Sequence, residues 1–258
     1  MHTVTPADRY ARETILDRRD WAEGLFSLRC TRPVGFRFTP GQFARIGVEV
    51  PVAGGSATTL WRPYSLVSSA DDPSLEFFSV IAPQGEFSPR LAAMQAGDCL
   101  LIDRTAYGFF TLERFADGRD LWLIATGTGL APFVSMLHDA TTWARYERVI
   151  IVHGVRYADN FAYADQFAGL INAGRALRYV RCATRERAAG ALHGRIPALL
   201  EQGELERAAA TRLSIEHSRV MICGNPAMIR SLRPLLETRG FRIGRRGNPG
   251  QMALEAYW

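Results

Sequence analysis

The sequence contains no lysine: all 31 basic residues among its 258 are arginine, set against 26 acidic ones. That absence excludes a lysine Schiff base, a lysine nucleophile and the lysine of a phosphate-binding Walker loop. Cysteine is scarce. Cys30, Cys99, Cys182 and Cys223 stand far apart with no Cys-x-x-Cys pair, which disfavours iron–sulfur and zinc frameworks, so no metal site is expected. Long apolar runs are also missing. The longest, Leu121 to Leu137, is interrupted by Thr126-Gly127-Thr128-Gly129 and by Pro132, too broken for a membrane span. The N-terminus is polar and carries no secretory signature, so reduced thiols and a cytoplasmic location are expected. No zinc-finger spacing appears and no basic run is longer than Arg245-Arg246, leaving nucleic-acid binding without a motif.

What is present is an ordinary globular mixture, 47% hydrophobic and 22% charged. The length suits roughly two domains and a sizeable core without disulfide or metal staples. The net charge of +5 is uneven. Residues 1–119 hold 13 arginines against 14 acids, whereas residues 120–258 hold 18 against 12. The second half therefore presents either a solvated basic surface or an attraction for an anionic ligand or acidic partner.

Two rhythms divide the chain. In the first half, Leu25–Leu28, Phe43–Val48, Tyr64–Val67, Leu75–Ile81 and Cys99–Ile102 are short β-rich runs. Turn signals such as Pro40-Gly41 and Asp71-Asp72-Pro73 separate them, as in an antiparallel barrel or sandwich. One short helix is predicted near Ser88–Met94, with Ser88 as its cap and Pro89 as its first residue. In the second half strands and helices alternate: strands at Leu121–Ala125, Val149–His153, Leu177–Ala183 and Val220–Cys223, helices at about Pro132–Trp143, Phe161–Asn172 and Pro226–Glu237. That alternation predicts a parallel sheet with crossover helices. A boundary between residues 117 and 118, at the Asp117-Gly118 turn, gives domains 1–117 and 118–258. Met1 to Asp20 is left without an assignment.

Five short motifs carry chemistry. Gly127-Thr128-Gly129-Leu130-Ala131-Pro132 follows a strand and opens a helix; it is either a plain strand–helix turn or a pyrophosphate cradle. The next strand runs into His153-Gly154-Val155-Arg156. An arginine there, where NAD-binding units carry an acidic residue, fits a 2′-phosphate, and Arg185 and Arg195 follow the third strand. Cys223-Gly224-Asn225-Pro226 ends the last strand; its thiol is either a buried structural residue or a small neighbour for a planar ring. Arg62-Pro63-Tyr64-Ser65 offers a guanidinium, a flat aromatic and a hydroxyl, with Arg62 and Tyr64 on one strand face and Ser65 on the other. Gly85-Glu86-Phe87-Ser88-Pro89-Arg90 offers a second helix start.

In this order the five motifs resemble the ferredoxin/flavodoxin–NADP+ reductases of bacteria, from about Trp21 to Trp258. The resemblance implies a six-stranded FAD-binding β-barrel followed by an α/β NADP-binding domain. It implies that Arg62 holds the FAD pyrophosphate, that Pro63 belongs to the same cofactor site, that Tyr64 stacks on the flavin, and that Ser65 bonds near its reactive nitrogen. Phe87 and Ser88 with neighbouring N–H groups would hold the FAD phosphates. Thr126, Gly127 and Gly129 would line the NADP pyrophosphate site, and Arg156, Arg185 and Arg195 would clasp the 2′-phosphate. Cys223 would sit beside the nicotinamide, and Glu255 would relay protons with Ser65, making Ser65, Cys223 and Glu255 the catalytic set. The terminal Tyr257-Trp258 departs from a pattern ending on tyrosine and implies a mobile aromatic shield over FAD. The activity so implied is electron exchange between NADPH and a one-electron carrier, an acidic ferredoxin or flavodoxin, by a monomer. Arg239, Arg242, Arg245 and Arg246 would steer that carrier. Three rivals remain: a flavin, ferric-chelate or oxygenase reductase of the same architecture, a non-catalytic FAD/NADP-binding sensor or subunit, and a thiol enzyme using Cys223.

Overall fold

The structure is a computed structural model describing residues 9–51, 55, 57–244 and 248–257. The chain divides into two compact units, residues 1–109 and 110–258.

The first unit is a six-stranded antiparallel sheet built from β1 (Tyr10–Ala22), β2 (Leu25–Thr31), β3 (Phe43–Pro51), β4 (Ala57–Ser65), β5 (Ser74–Val80) and β6 (Cys99–Tyr107). The strand order is β4-β3-β6-β1-β2-β5. Its two edges meet: Leu66, just beyond β4, bridges Phe77 of β5, and the Val67 N–H bonds the Glu76 carbonyl at 3.0 Å. Closure satisfies the edge strands and makes the sheet a barrel. Inward residues alternate along each strand, so Phe26, Leu28, Ile46, Leu66, Leu75, Phe77 and Ile102 fill one core. The helix α1 (Ser88–Ala93) adds Leu91 to it.

Arg32 shows how a charged residue serves this unit. Its guanidinium donates to the carbonyls of Phe36, Ala70 and Asp72 and lies over the Phe36 and Phe38 rings. Two loops are thereby tied by one side chain, which only the five-donor fork of arginine can do.

The second unit is a parallel sheet of β7 (Asp120–Thr126), β8 (Arg148–Val155), β9 (Leu177–Ala183), β10 (Leu192–His193), β11 (Ser218–Gly224) and β12 (Met252–Ala256). Its order is β10-β9-β8-β7-β11-β12. From β7 the chain builds outward through β8 and β9, then returns to place β11 on the other side of β7. The order reverses there, and in such sheets ligands bind outside the carboxyl ends of the strands at the reversal. The central strands β7 and β11 are buried along almost their whole length, as parallel strands covered on both faces must be. The helices are α2 (Ala131–His138), α3 (Ala140–Arg145), α4 (Ala164–Asn172), α5 (Ile196–Glu201), α6 (Glu204–Ala209) and α7 (Pro226–Thr238). On one face Trp122, Ile150, Ile222 and Leu232 join a continuous core with α5, α6 and α7.

Several sequence expectations need correction. The division falls between Phe109 and Phe110, not between 117 and 118. Residues after Phe109 belong to the second unit because Phe110 packs on Phe133, Arg145 holds the Leu112 and Phe115 carbonyls, and Arg219 holds those of Ala116 and Asp117. The helix expected over Pro132–Trp143 breaks at Asp139, whose carboxylate accepts the Thr141 N–H at 2.8 Å and restarts the chain as α3. The helix expected from Phe161 begins at Ala164, after Tyr163 takes a left-handed φ of 61°. Helix α1 begins at Ser88 itself, so Phe87 is the capping position and Ser88 is not. The unassigned N-terminal segment supplies β1, which runs from Tyr10 through the middle of the barrel sheet.

At the amino end of β7, Asp120 is fully buried and meets Arg148 at 2.8 Å and Arg119 at 3.4 Å. Breaking a buried pair costs about 3–5 kcal/mol, less when the partner reaches water, and Arg148 is 37% exposed. Asp120→Asn is expected to lose about 2 kcal/mol of stability, read as a lower urea midpoint with unchanged slope.

Candidate nucleotide and active site

The reversal point is built from two strand ends locked together through backbone. Thr126 closes β7, and its Oγ1 accepts the Asn225 N–H at 2.8 Å. Asn225 in turn caps α7, its Oδ1 accepting the Ala227 N–H at 2.7 Å. A Cβ on Gly129 would stand 2.5 Å from the Cys223 carbonyl oxygen. A Cβ on Gly224, at φ +124°, would stand 2.7 Å from the Thr126 carbonyl oxygen and press on its Oγ1. Both positions therefore require glycine. Gly127 differs: it has φ +52°, but nothing lies within 4 Å of the Cβ position. The turn is open on that side, and it feeds through a 3-10 turn at Gly127–Leu130 into α2, whose N-terminus has no side-chain cap. Uncapped N–H groups at the positive end of a helix dipole suit an anion.

Arg156, Arg185 and Arg195 are brought to neighbouring strand ends. Val155 of β8 lies opposite Ala183 of β9, and His193 of β10 lies opposite the same Ala183. The Arg185 N–H bonds the Arg156 carbonyl at 3.0 Å, and the Gly194 N–H bonds that of Ala183 at 3.0 Å. All three side chains are exposed, and none pairs with a carboxylate among the described residues. Arg185 lies over the Tyr157 ring at 5.7 Å and donates to its hydroxyl at 3.4 Å. Tyr157 was not legible as a site residue, since one exposed tyrosine after Arg156 carries no spacing signal. His153, by contrast, turns inward and is fully buried.

Cys223 and Glu255 face each other in register on β11 and β12. The Tyr257 N–H bonds the Gly224 carbonyl at 2.9 Å, and the Tyr257 side chain reaches the Cys223 thiol. Burial pushes that thiol well up, the nearby Glu255 charge adds to the shift, and the Tyr257 bond opposes it. The thiol is therefore protonated at neutral pH, which removes the basis for a thiolate nucleophile. His153 is committed to the Tyr179 hydroxyl at 3.2 Å. Burial also raises the Glu255 carboxyl from 4.5 to about 7, against the opposing charge of Arg114, and its Oε2 is buried without a hydrogen-bond partner among the described residues. A carboxyl that exchanges its proton near neutrality is suited to acid–base work. Trp258, Arg245 and Arg246 lie outside the described residues. Arg242 is exposed, whereas Arg239 pairs with Glu206 at 3.2 Å.

The first unit carries the remaining residues. Arg62 is exposed on β4, its Nη1 donating to the Trp61 carbonyl at 2.8 Å. Pro63 precedes Tyr64, whose hydroxyl bonds Ser79 Oγ at 3.0 Å and whose ring meets Phe87 at 5.8 Å and the Phe77 edge at 6.5 Å. Ser65 is buried. Ser88 is buried too, its Oγ accepting the Ala82 N–H at 2.9 Å, so it braces the 82–88 turn.

Two predictions follow from the packing and the charge. Gly129→Ala is expected to cost about 3 kcal/mol because backbone must yield, and Gly127→Ala only about 1 kcal/mol for its left-handed φ; comparative thermal denaturation reads the difference. Glu255 binds its proton more tightly folded than unfolded, so its contribution is whole below pH 4.5 and is lost as pH rises through about 7. Glu255→Gln is thus expected to be more stable than the parent by up to about 3 kcal/mol at pH 8, with no such advantage below pH 4.5.

Comparisons with known proteins give the family. Residues 123–233 match the family described as the oxidoreductase NAD-binding domain. Ferredoxin–NADP reductase A of Sorangium cellulosum is 40% identical over 256 residues, covering 95% of this chain and 89% of that protein. The flavodoxin/ferredoxin–NADP reductase of Shigella flexneri is 41% identical, covering 93% and 95%. The crystal structure of a ferredoxin NADP+ reductase from Neisseria gonorrhoeae, with bound FAD and NADP, superposes with a TM-score of 0.90 at 35% identity, over 97% of this chain and 99% of that one. With its antiparallel barrel, its parallel sheet and relatives matched over nearly their whole length, the chain belongs to the ferredoxin/flavodoxin–NADP reductase family and is an oxidoreductase.

Proposed function

We propose that this protein exchanges electrons between NADPH and an acidic ferredoxin or flavodoxin, using FAD held by the barrel unit. Three exposed guanidiniums without carboxylate partners among the described residues, on neighbouring strand ends beside an open glycine turn, are the observation that carries the NADPH half. The residues fit both groups. Gly127, Gly129 and the start of α2 form a cradle in which a side chain at 127 would occupy open space and one at 129 would strike backbone. Arg62 offers an exposed guanidinium two residues before Tyr64, whose half-buried ring meets the buried Phe87.

In this reading Thr126, Gly127, Gly129 and the α2 N-terminus bind the NADP pyrophosphate, and Arg156, Arg185 and Arg195 bind its 2′-phosphate. Arg62, Pro63, Tyr64, Ser65, Phe87 and Ser88 hold FAD, with the aromatic rings against its flat ring and the turn at 85–88 near its phosphates. The two cofactors together supply hydride exchange and its conversion into single-electron delivery. Cys223, small, neutral and polarisable, leaves room for the nicotinamide without competing as a nucleophile. Glu255 holds a proton near pH 7 beside Cys223, and Ser65 is its counterpart on the barrel unit. Tyr257 and Trp258 shield the flavin until the nicotinamide arrives. The uneven charge supports an acidic electron carrier, with Arg242 exposed and, among the described residues, paired with no carboxylate. A monomer in the cytoplasm is the state proposed; no helix among the described residues is long and apolar enough to cross a membrane. Family membership favours neither a free-flavin or ferric-chelate reductase nor a subunit without turnover.

Anaerobic NADPH is expected to bleach the visible absorbance of the purified holoprotein. Alanine at Arg156, Arg185 or Arg195 is expected to raise the NADPH KM about tenfold or more, since a hydrogen bond to a charged group is worth roughly 1.5–3 kcal/mol, while the NADH KM stays within about twofold. Equal loss with both nucleotides removes the 2′-phosphate assignment.

A further inference from the structure

An acid, Glu186, directly follows Arg185. A carboxylate in that place would ordinarily neutralise a neighbouring guanidinium or weaken an anion site by its own charge. The structure gives it another use. Among the described residues Glu186 forms no ion pair with Arg156, Arg185 or Arg195. Its Oε1 instead accepts the N–H of Ala158, just past the end of β8. Its own carbonyl meets Nδ1 of His193, on β10, at 2.9 Å. A carbonyl only accepts, so the His193 ring carries a proton on Nδ1 and donates it.

These two bonds join three segments, and each segment carries one of the arginines. Ala158 comes two residues after Arg156, Glu186 one residue after Arg185, and His193 two residues before Arg195. Backbone has already begun the cross-linking below. The Thr184 N–H and hydroxyl both bond the Val155 carbonyl at 3.1 Å, and the Arg185 N–H bonds that of Arg156 at 3.0 Å. The Glu186 carboxylate and carbonyl continue these links outward, where the segments leave the sheet.

The Tyr157–Ala158 peptide is the critical one. Tyr157 is extended, with φ −129° and ψ 155°, and opens the short turn at Ala158–Asn160. Its ring lies 5.7 Å from the Arg185 guanidinium, and its hydroxyl accepts from Arg185 Nη1 at 3.4 Å. Holding the Ala158 N–H fixes the backbone from which that ring projects. Glu186 thereby sets the direction of the arginine before it, by way of the neighbouring strand. Glu186, His193 and the three arginines are all exposed, and exposed segments carrying like charges spread unless something ties them.

We propose that Glu186 is a positioning residue for nucleotide selection: its carboxylate and carbonyl hold the segments bearing Arg156, Arg185 and Arg195 at the spacing that clasps a 2′-phosphate. The inference rests on the reading of those arginines as the 2′-phosphate site. It assigns Glu186 no contact with nucleotide.

The test uses the FAD-loaded protein, with NADP+, 2′-AMP and 5′-AMP as ligands and NADPH and NADH as substrates. Glu186→Ala removes the acceptor. It is expected to raise the Kd for NADP+ and 2′-AMP, and the KM for NADPH, about fivefold, the worth of one hydrogen bond. Both kcat and the KM for NADH are expected to stay within about twofold. Glu186→Gln keeps an acceptor oxygen and drops the charge, and is expected to bind 2′-AMP at least as well as the parent. That contrast separates positioning from charge, because an acid acting by charge alone would leave both variants binding 2′-AMP more tightly. His193→Ala removes only the second tie and is expected to weaken 2′-AMP about threefold. His193→Asn, whose amide nitrogen can stand where Nδ1 does, is expected to restore it. If Glu186→Ala does not fold, the two His193 variants decide the matter. Unchanged or tighter 2′-AMP binding in Glu186→Ala, an equal loss in Glu186→Gln, or an equal rise in the KM for NADH overturns the proposal. A parent protein that binds 2′-AMP no better than 5′-AMP overturns instead the 2′-phosphate reading beneath it.

Discussion

The close approach of two strand ends at the sheet reversal governs most of the second unit's chemistry. Gly129 rests against the Cys223 carbonyl and Gly224 against Thr126. A side chain at either position would push β7 and β11 apart or tilt the start of α2. The missing Cβ atoms allow backbone to pack on backbone, and the Thr126–Asn225 hydrogen bond then ties the first strand–helix turn to the last. Through that tie the uncapped start of α2, the Cys223 thiol and the cap of α7 become one rigid assembly. Interiors transmit small displacements because they are close-packed, so a methyl group at 129 is felt at Cys223.

Burial then sorts the polar groups into distinct roles. At the amino end of β7, Asp120 is paired with two arginines and acts as a latch. At the carboxyl end burial keeps His153 neutral and raises the Glu255 carboxyl to about 7. The same desolvation drives the last two shifts, and it acts in opposite directions because one group is neutral when deprotonated and the other when protonated. Their effects on stability oppose each other between about pH 4.5 and 6.5, since folding disfavours proton uptake at His153 and favours it at Glu255. The exposed guanidiniums at Arg156, Arg185 and Arg195 complete the pattern: charge stays in water where a ligand can reach it.

The barrel unit solves a different problem, that of edges. A six-stranded sheet with two free edges invites pairing with other chains. The Leu66–Phe77 bridge closes it, and Arg32 ties two of its loops with a single fork. Tyr64 and Ser65 lie at the end of β4, immediately before that closure. Their strand is therefore held from both sides, by β3 along its length and by β5 at its tip.

Periodicity and punctuation in the sequence determined the two rhythms, most strand positions, the glycine turn after β7 and the arginines at strand ends. These are local properties: alternation, a turn dipeptide and a residue type at a fixed offset are written within a dozen residues. Family resemblance added the roles proposed for Ser65, Glu255 and the aromatic tail, none of which has a spacing signal of its own. The tertiary structure alone decided the rest. It moved residues 110–117 into the second unit, because side chains from Arg145 and Arg219 reach back to hold that segment's carbonyls. It paired Glu255 with Cys223, more than thirty residues earlier, by adding β12 beside β11. It turned His153 away from Arg156, although the two share one short motif, because successive strand residues face opposite sides. Spacing along the chain says which residues are near in sequence; only the register of neighbouring strands says which side chains meet.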